Sequence, residues 1–123
     1  MVIRIATAAL TLAGSLALIS GLLFWTGIAV NLITLHMLLG FLAVSALWVI
    51  GVAQAFSPRG SWLIAACALM VGAVMIAIGT MQSSLLPGEF HWIIQLIHLA
   101  LGLLTIGIGH KAAARYRKAS LGE

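Results

Sequence analysis

Charge is what this sequence lacks. Only two of its 123 residues are acidic and six are Lys or Arg, while 63% are hydrophobic, and a water-soluble domain carries about a quarter charged residues. The deficit excludes a soluble globule and predicts a chain dissolved in lipid. Arg4, Arg59, Lys111, Arg115, Arg117 and Lys118 against Glu89 and Glu123 leave a net charge of +4, but these residues sit at span boundaries and near the C-terminus. No basic face rides on a soluble fold, so nucleic acid is excluded as a partner. Cysteine is almost missing as well. The single Cys67 excludes an intrachain disulfide and any C-x-x-C-H attachment motif, and its apolar neighbours predict a packing role. Proline occurs twice, at Pro58 and Pro87, where the chain is expected to turn.

Residues 5–58 hold no Asp, Glu, Lys or Arg. As one helix that run would be about 80 Å long, and a bilayer core of about 30 Å needs only about 20 apolar residues per crossing. The run must therefore fold back, and the chain has room for four crossings and no soluble domain. The turn signals place helices at about 5–26, 31–56, 61–82 and 90–113, with 114–123 as a basic cytoplasmic tail. Gly27 and Asn31 mark the first turn, Ser57-Pro58-Arg59-Gly60 the second, and Ser83-Ser84-Leu85-Leu86-Pro87-Gly88 the third. Strands are excluded because an open strand edge is not tolerated in lipid. The expected fold is an all-α integral membrane four-helix bundle in a single domain. Residues 1–27 read as a retained first crossing, because their apolar run exceeds that of a signal peptide and no small-residue cleavage site follows.

Four crossings put Arg4, Arg59 and the Lys111–Lys118 cluster on one face and Glu89 on the other. The positive-inside rule makes the first face cytoplasmic, with both termini inside, and a bacterial inner membrane is the most economical setting. Trp25 and Trp92 are expected at the outer boundary, Trp62 at the inner, and Trp48 in the core.

The sequence also repeats itself. Gly14 and Gly21 match Gly72 and Gly79 at an offset of 58, and Leu35-His36-Met37-Leu38-Leu39-Gly40 matches Ile97-His98-Leu99-Ala100-Leu101-Gly102 at an offset of 62. The shared His-x-x-x-Gly is the stronger half of this signal, because glycine alone is common in membrane helices. Two parallel pseudo-repeated helical hairpins follow, related by an axis along the membrane normal, which sets His36 opposite His98.

Ionisable side chains within a membrane are costly and face the bundle interior. One such histidine is well explained by a hydrogen bond across helices; a matched pair at one depth fits a haem held through iron by both rings. Gly40 and Gly102 lie one turn beyond each histidine, where a side chain would meet a flat macrocycle, and Gly14, Gly21, Gly72 and Gly79 clear the other two helices. A bare metal ion is disfavoured, since a structural zinc site needs four ligands. His91 and Gln95 extend the His98 face toward the outer surface, where they read as partners for propionates or as a quinol or proton site, or else His91 is a solvated interfacial residue beside Trp92.

On these residues the chain resembles the small transmembrane b-type cytochromes, four-helix bundles in which axial histidines on two helices hold haem b and glycines line it. The resemblance implies a membrane electron carrier with one non-covalent bis-histidine haem b, its iron ligated by His36 and His98. It further implies lipid surroundings and a quinone or periplasmic redox partner. Relatives with two haems carry a second histidine about thirteen residues along each ligand helix; His110 follows His98 by twelve, but Trp48 stands after His36, so one haem is expected and His110 is read as interfacial. A quinone-linked oxidoreductase activity stays open. The rival readings are a haem-free accessory subunit, or a homodimer, packing through Gly51 and Ala55, and a small transporter, which would need an intramembrane carboxylate that the sequence does not supply.

Overall fold

A computed structural model of the chain describes residues 1–121. They form four α-helices, α1 (Val2–Trp25), α2 (Ile33–Ala55), α3 (Trp62–Met81) and α4 (His91–Leu121), and no strand occurs among the described residues. Each is long and apolar enough to cross a membrane, which fits an integral membrane protein. Short 3-10 turns at Val30–Leu32 and Gln82–Ser84 lie within the first and third connections. Contacts between the ends fix the directions. His36, early in α2, meets Ser20 late in α1, the end of α2 at Gln54 meets Ser61 just before α3, and a Cβ on Gly79, late in α3, would meet His98, early in α4, so α1 and α3 run one way and α2 and α4 the other.

The helices stop where backbone chemistry forces them to. After α1, Gly27 takes φ +77 and Ala29 φ +58, a left-handed pair in which only glycine is unstrained. The Gly27 and Ile28 amides return to Phe24 and Leu23 carbonyls at 2.9 Å each. The turn before α4 uses Leu86 at φ +44 and Gly88 at φ +94 around Pro87. Between α2 and α3, Pro58 ends the helical ladder and Gly60 passes directly over the Ala55 carbonyl, leaving no room for a Cβ.

Lipid changes what the core is made of. An apolar outer face is compatible with the bilayer, so large side chains such as Leu12, Leu63, Met70 and Leu103 point outward, and packing between helices falls to small residues that let backbones approach. Ala6, Ala13, Ala43, Ala46, Ala65, Ala68, Ala112 and Ala113 are all buried, around fully enclosed Leu10, Leu47 and Ile50. Gly51 belongs to this interior: a Cβ on it would lie 2.7 Å from that of Ala68. Gly51 and Ala55 are therefore closed inside the bundle and are not a face for a second copy or a larger complex. Cys67 departs from expectation in the opposite sense, being exposed on α3 rather than packed.

The other departure lies at the end of α4. The helix does not give way to a tail after 113 but continues to Leu121, because Ala112, Ala113, Ala114, Arg115, Arg117 and Lys118 are strong helix formers with no Gly or Pro among them. Lys118 in the last turn also suits the negative end of the helix dipole. The remainder of the expected tail, 122–123, lies outside the described residues.

Gln54 is the fully buried polar residue of this end. Its amide, with oxygen toward the Ser61 N–H at 3.1 Å and nitrogen toward the Ser61 carbonyl at 3.3 Å, ties the end of α2 to the start of α3. Replacing Gln54 by Leu takes its partner from the Ser61 N–H, while the Ser61 carbonyl keeps the Ile64 and Ala65 amides, and is expected to cost roughly 1–3 kcal/mol, read as a lower midpoint of thermal unfolding in detergent. An unchanged midpoint would show that this tie does not hold the turn.

Candidate functional site

Helical periodicity aims two rows of residues at one space. On α2, His36, Gly40, Ala43 and Val44 share a face, and on α4 His91, Gln95, His98, Gly102 and Thr105 do. Together with Gly14, Gly21 and Phe24 of α1 and Met75 and Gly79 of α3, they line a cavity of about 470 Å³. It occupies the half of the bundle nearest the α1–α2 and α3–α4 connections.

Both imidazoles reach into it. The His36 and His98 ring centroids lie 6.1 Å apart with planes inclined by 52°. His36 is supported on its other side: Ser20 Oγ lies 3.0 Å from its Nδ1, and Phe24 meets the ring edge-on at 5.3 Å. His98 has no such support, and its Nδ1 is buried without a hydrogen-bond partner. Orphaned buried polar atoms are uncommon because each one costs desolvation energy without return. Thr105 Oγ1 is a second orphan on the cavity wall.

The glycines divide the work of making room. A Cβ on Gly21 would lie 3.2 Å from His36 Cε1, and one on Gly79 would lie 2.9 Å from His98 Cε1. Each glycine thus gives an imidazole on the neighbouring helix its place. Gly40 faces open space, with nothing within 4 Å of its hypothetical Cβ, and Gly102 meets only Met75 Cε, at 3.6 Å. Gly14 admits Ile106, whose side chain would lie 3.0 Å from an added Cβ.

Gly72 does something else. It is absent from the cavity wall, and a side chain there would collide with the Trp48 indole and with Val44. Gly72 seats Trp48, and this half of the bundle is filled by Trp48, Leu10 and Leu47. His110 lies near that end and meets Thr11 Oγ1 at 3.1 Å through Nε2. His91 sits at the cavity's outer mouth, its Nδ1 3.2 Å from the Leu85 carbonyl, so part of its role is to close the α3–α4 turn; Gln95 lies between it and His98 on the cavity wall.

Ser20, Phe24 and Thr105 were not singled out by sequence. Thr105 had a readable signal, since it stands seven residues after His98 on the same face. Ser20 had none of that kind: it reaches His36 from another helix, and the matching position in the second half, 58 residues on, is Ile78. Among the described residues no group of three His, Cys, Asp or Glu is placed to hold a metal ion. The site offers two nitrogen donors, an apolar wall and open space.

Two glycine variants separate packing from cavity. Gly72→Leu overpacks the Trp48 seat and is expected to destabilise by roughly 1–3 kcal/mol, with a lowered unfolding midpoint and altered tryptophan fluorescence. Gly40→Leu enters open space and is expected to leave the midpoint within error; equal losses in both would contradict the division. Compared with known proteins, the chain matches no protein-family model, no curated protein and no solved structure.

Proposed function

We propose that the protein is a membrane b-type cytochrome that holds one non-covalent haem b between His36 and His98 and passes single electrons. The observation that carries this reading is the close pair of imidazoles, with ring centroids 6.1 Å apart. Two metal–nitrogen bonds of about 2 Å, end to end with the ring radii added, put imidazole centroids roughly 6 Å apart. The cavity supports it too: about 470 Å³ is within the range of roughly 300–1,000 Å³ typical of enclosed ligands. The open space at Gly40 leaves room for a flat macrocycle, and one nitrogen of His98 is buried without a hydrogen-bond partner.

The chain's own residues define the task. His36 and His98 would hold the haem through its iron, and a haem so held would supply reversible one-electron chemistry. Met75, Val44, Leu18 and Ile106 keep water from the cavity walls, which favours the less charged state of whatever is enclosed. Gln95 and His91 line the path to the mouth and are placed to donate hydrogen bonds to propionates or to a partner at the rim. That partner is a quinol or a redox protein on the outer side.

The pseudo-repeat and the orientation belong to the same proposal. Gly21 beneath His36 and Gly79 beneath His98 support two hairpins of one design. Arg4, the Arg59 turn and the basic end of α4, with Glu89 in the opposite connection, support both termini inside, in a bacterial inner membrane. Trp25, Trp62 and Trp92 are exposed near helix ends, where amphipathic rings favour the membrane interface.

Visible spectra of protein purified in mild detergent from haem-replete cells test the reading. The wild type is expected to show a dithionite-reducible low-spin band, and His36→Ala and His98→Ala each to lose the low-spin signature. Gly40→Leu is expected to stay folded and bind no haem. A haem-free wild type, or normal low-spin haem in both histidine variants, would overturn it.

A further inference from the structure

The end of the bundle away from the cavity carries most of the charge. Arg4, Lys111, Arg115, Arg117 and Lys118 are all exposed where α1 begins and α4 finishes, and Glu89, the one acid among the described residues, stands at the opposite end.

Three contacts fix the register of α1 against α4. A Cβ on Gly14 would lie 3.0 Å from Ile106 Cδ1, Gly109 faces the Leu10 side chain, and Thr11 Oγ1 lies 3.1 Å from His110 Nε2. Residue numbers rise on one helix as they fall on the other, so the register holds along the seam. Seven residues from the Thr11–His110 contact, toward the helix ends, stand Arg4 on α1 and Arg117 on α4. Seven residues are close to two turns, so Arg4 keeps the flank of Thr11 and Arg117 that of His110. Both advance about 10 Å along the bundle. Two exposed arginines thus reach one level on one flank of the α1–α4 seam.

Below them the seam stays polar. Thr7 Oγ1 donates to the Ile3 carbonyl at 2.6 Å and Thr11 Oγ1 to the Thr7 carbonyl at 2.8 Å, and both Thr11 and His110 are exposed. Like charges at one level repel, and polar groups that face lipid are costly. Both costs fall when an anion with further hydrogen-bonding groups lies in the seam. Depth selects its source. Arg117 lies about 39 Å along α4 from His91, against a hydrocarbon core of about 30 Å, which puts it in the headgroup layer, where lipid phosphates are. A second copy of the chain would bring further cations to the seam and is disfavoured by charge.

We propose that this seam is a binding site for one anionic phospholipid, its phosphate held between Arg4 and Arg117 and its glycerol region over Thr11 and His110. Guanidinium forks match phosphate oxygens, and charge-assisted hydrogen bonds of this kind are stronger than neutral ones. Lys111, Arg115 and Lys118, spaced by four and three, occupy another face of α4 and contribute only a diffuse field.

The test uses full-length protein in mild detergent, with bound lipid counted by native mass spectrometry and the unfolding midpoint of each variant read against its own lipid-free value. With dioleoylphosphatidylglycerol the wild type is expected to retain one lipid per chain and to unfold at a higher temperature; with dioleoylphosphatidylcholine it is expected to do neither. Arg4→Gln with Arg117→Gln is expected to weaken phosphatidylglycerol binding about tenfold or more, as two cations near an anionic headgroup are lost. Lys111→Gln with Lys118→Gln removes the same charge from the other face, where salt screens it, and is expected to change binding less than about threefold. Arg4→Lys with Arg117→Lys is expected to recover only part of the affinity, since lysine keeps the charge without the fork. Equal losses in the two glutamine pairs, equal binding of the two lipids, or the same midpoint rise with inorganic phosphate alone would overturn the inference. The seam lies away from the cavity, so each result stands apart from the haem reading.

Discussion

Two imidazoles held 6.1 Å apart in an apolar bundle are an arrangement that lipid does not tolerate without cause. Each ring carries a donor and an acceptor, no solvent reaches the middle of a bilayer, and the neighbouring wall is largely aliphatic. His36 meets Ser20, but one nitrogen of His98 is buried with nothing to bond. On the reading proposed above, a group bound between the rings recovers this cost, and the glycines and Trp48 are arranged around that space. Gly21 and Gly79 give the rings their places, Gly40 and Gly102 leave the cavity wide, and Trp48 on Gly72 fills the other half.

This division of the bundle into an open half and a packed half gives the function its shape. On the cytochrome reading proposed above, a single redox centre in one half would serve a partner on that side, since it would not by itself span about 30 Å of hydrocarbon. The packed half, with Leu10, Leu47, Ile50 and Gln54 fully enclosed, supplies the rigidity on which the open half depends. Gln54 and Ser61 close its turn, and α4 contributes the buried Ala112 and Ala113 to it.

The four helices were legible because charge is so sparse: residues 5–58 form an apolar run too long for one crossing, and Pro58, Pro87 and the turn glycines mark where the chain reverses. Their facing was less legible. A helix that is apolar on both its lipid side and its core side carries little amphipathic signal, so the inward row on α2 showed only through His36 and Gly40, and the burial of Gly51 and Ala55 did not show at all. Gly72 was misleading for a related reason. Its spacing from Gly79 matches that of Gly14 from Gly21, but what a glycine makes room for is decided by the partner helix, and on α2 that partner is Trp48. Ser20 was hidden because its contact joins two helices and is not repeated in the second half. The tail was misread because the basic residues that mark a membrane boundary are also good helix formers.

The central claim is that the two histidines clasp one occupant from opposite sides. Electron paramagnetic resonance of the oxidised protein from haem-replete cells, read together with haem content per chain, measures this most directly. We expect one haem per chain and a low-spin ferric signal characteristic of two imidazole nitrogens. A chain purified without haem, or a high-spin signal alone, would contradict the claim.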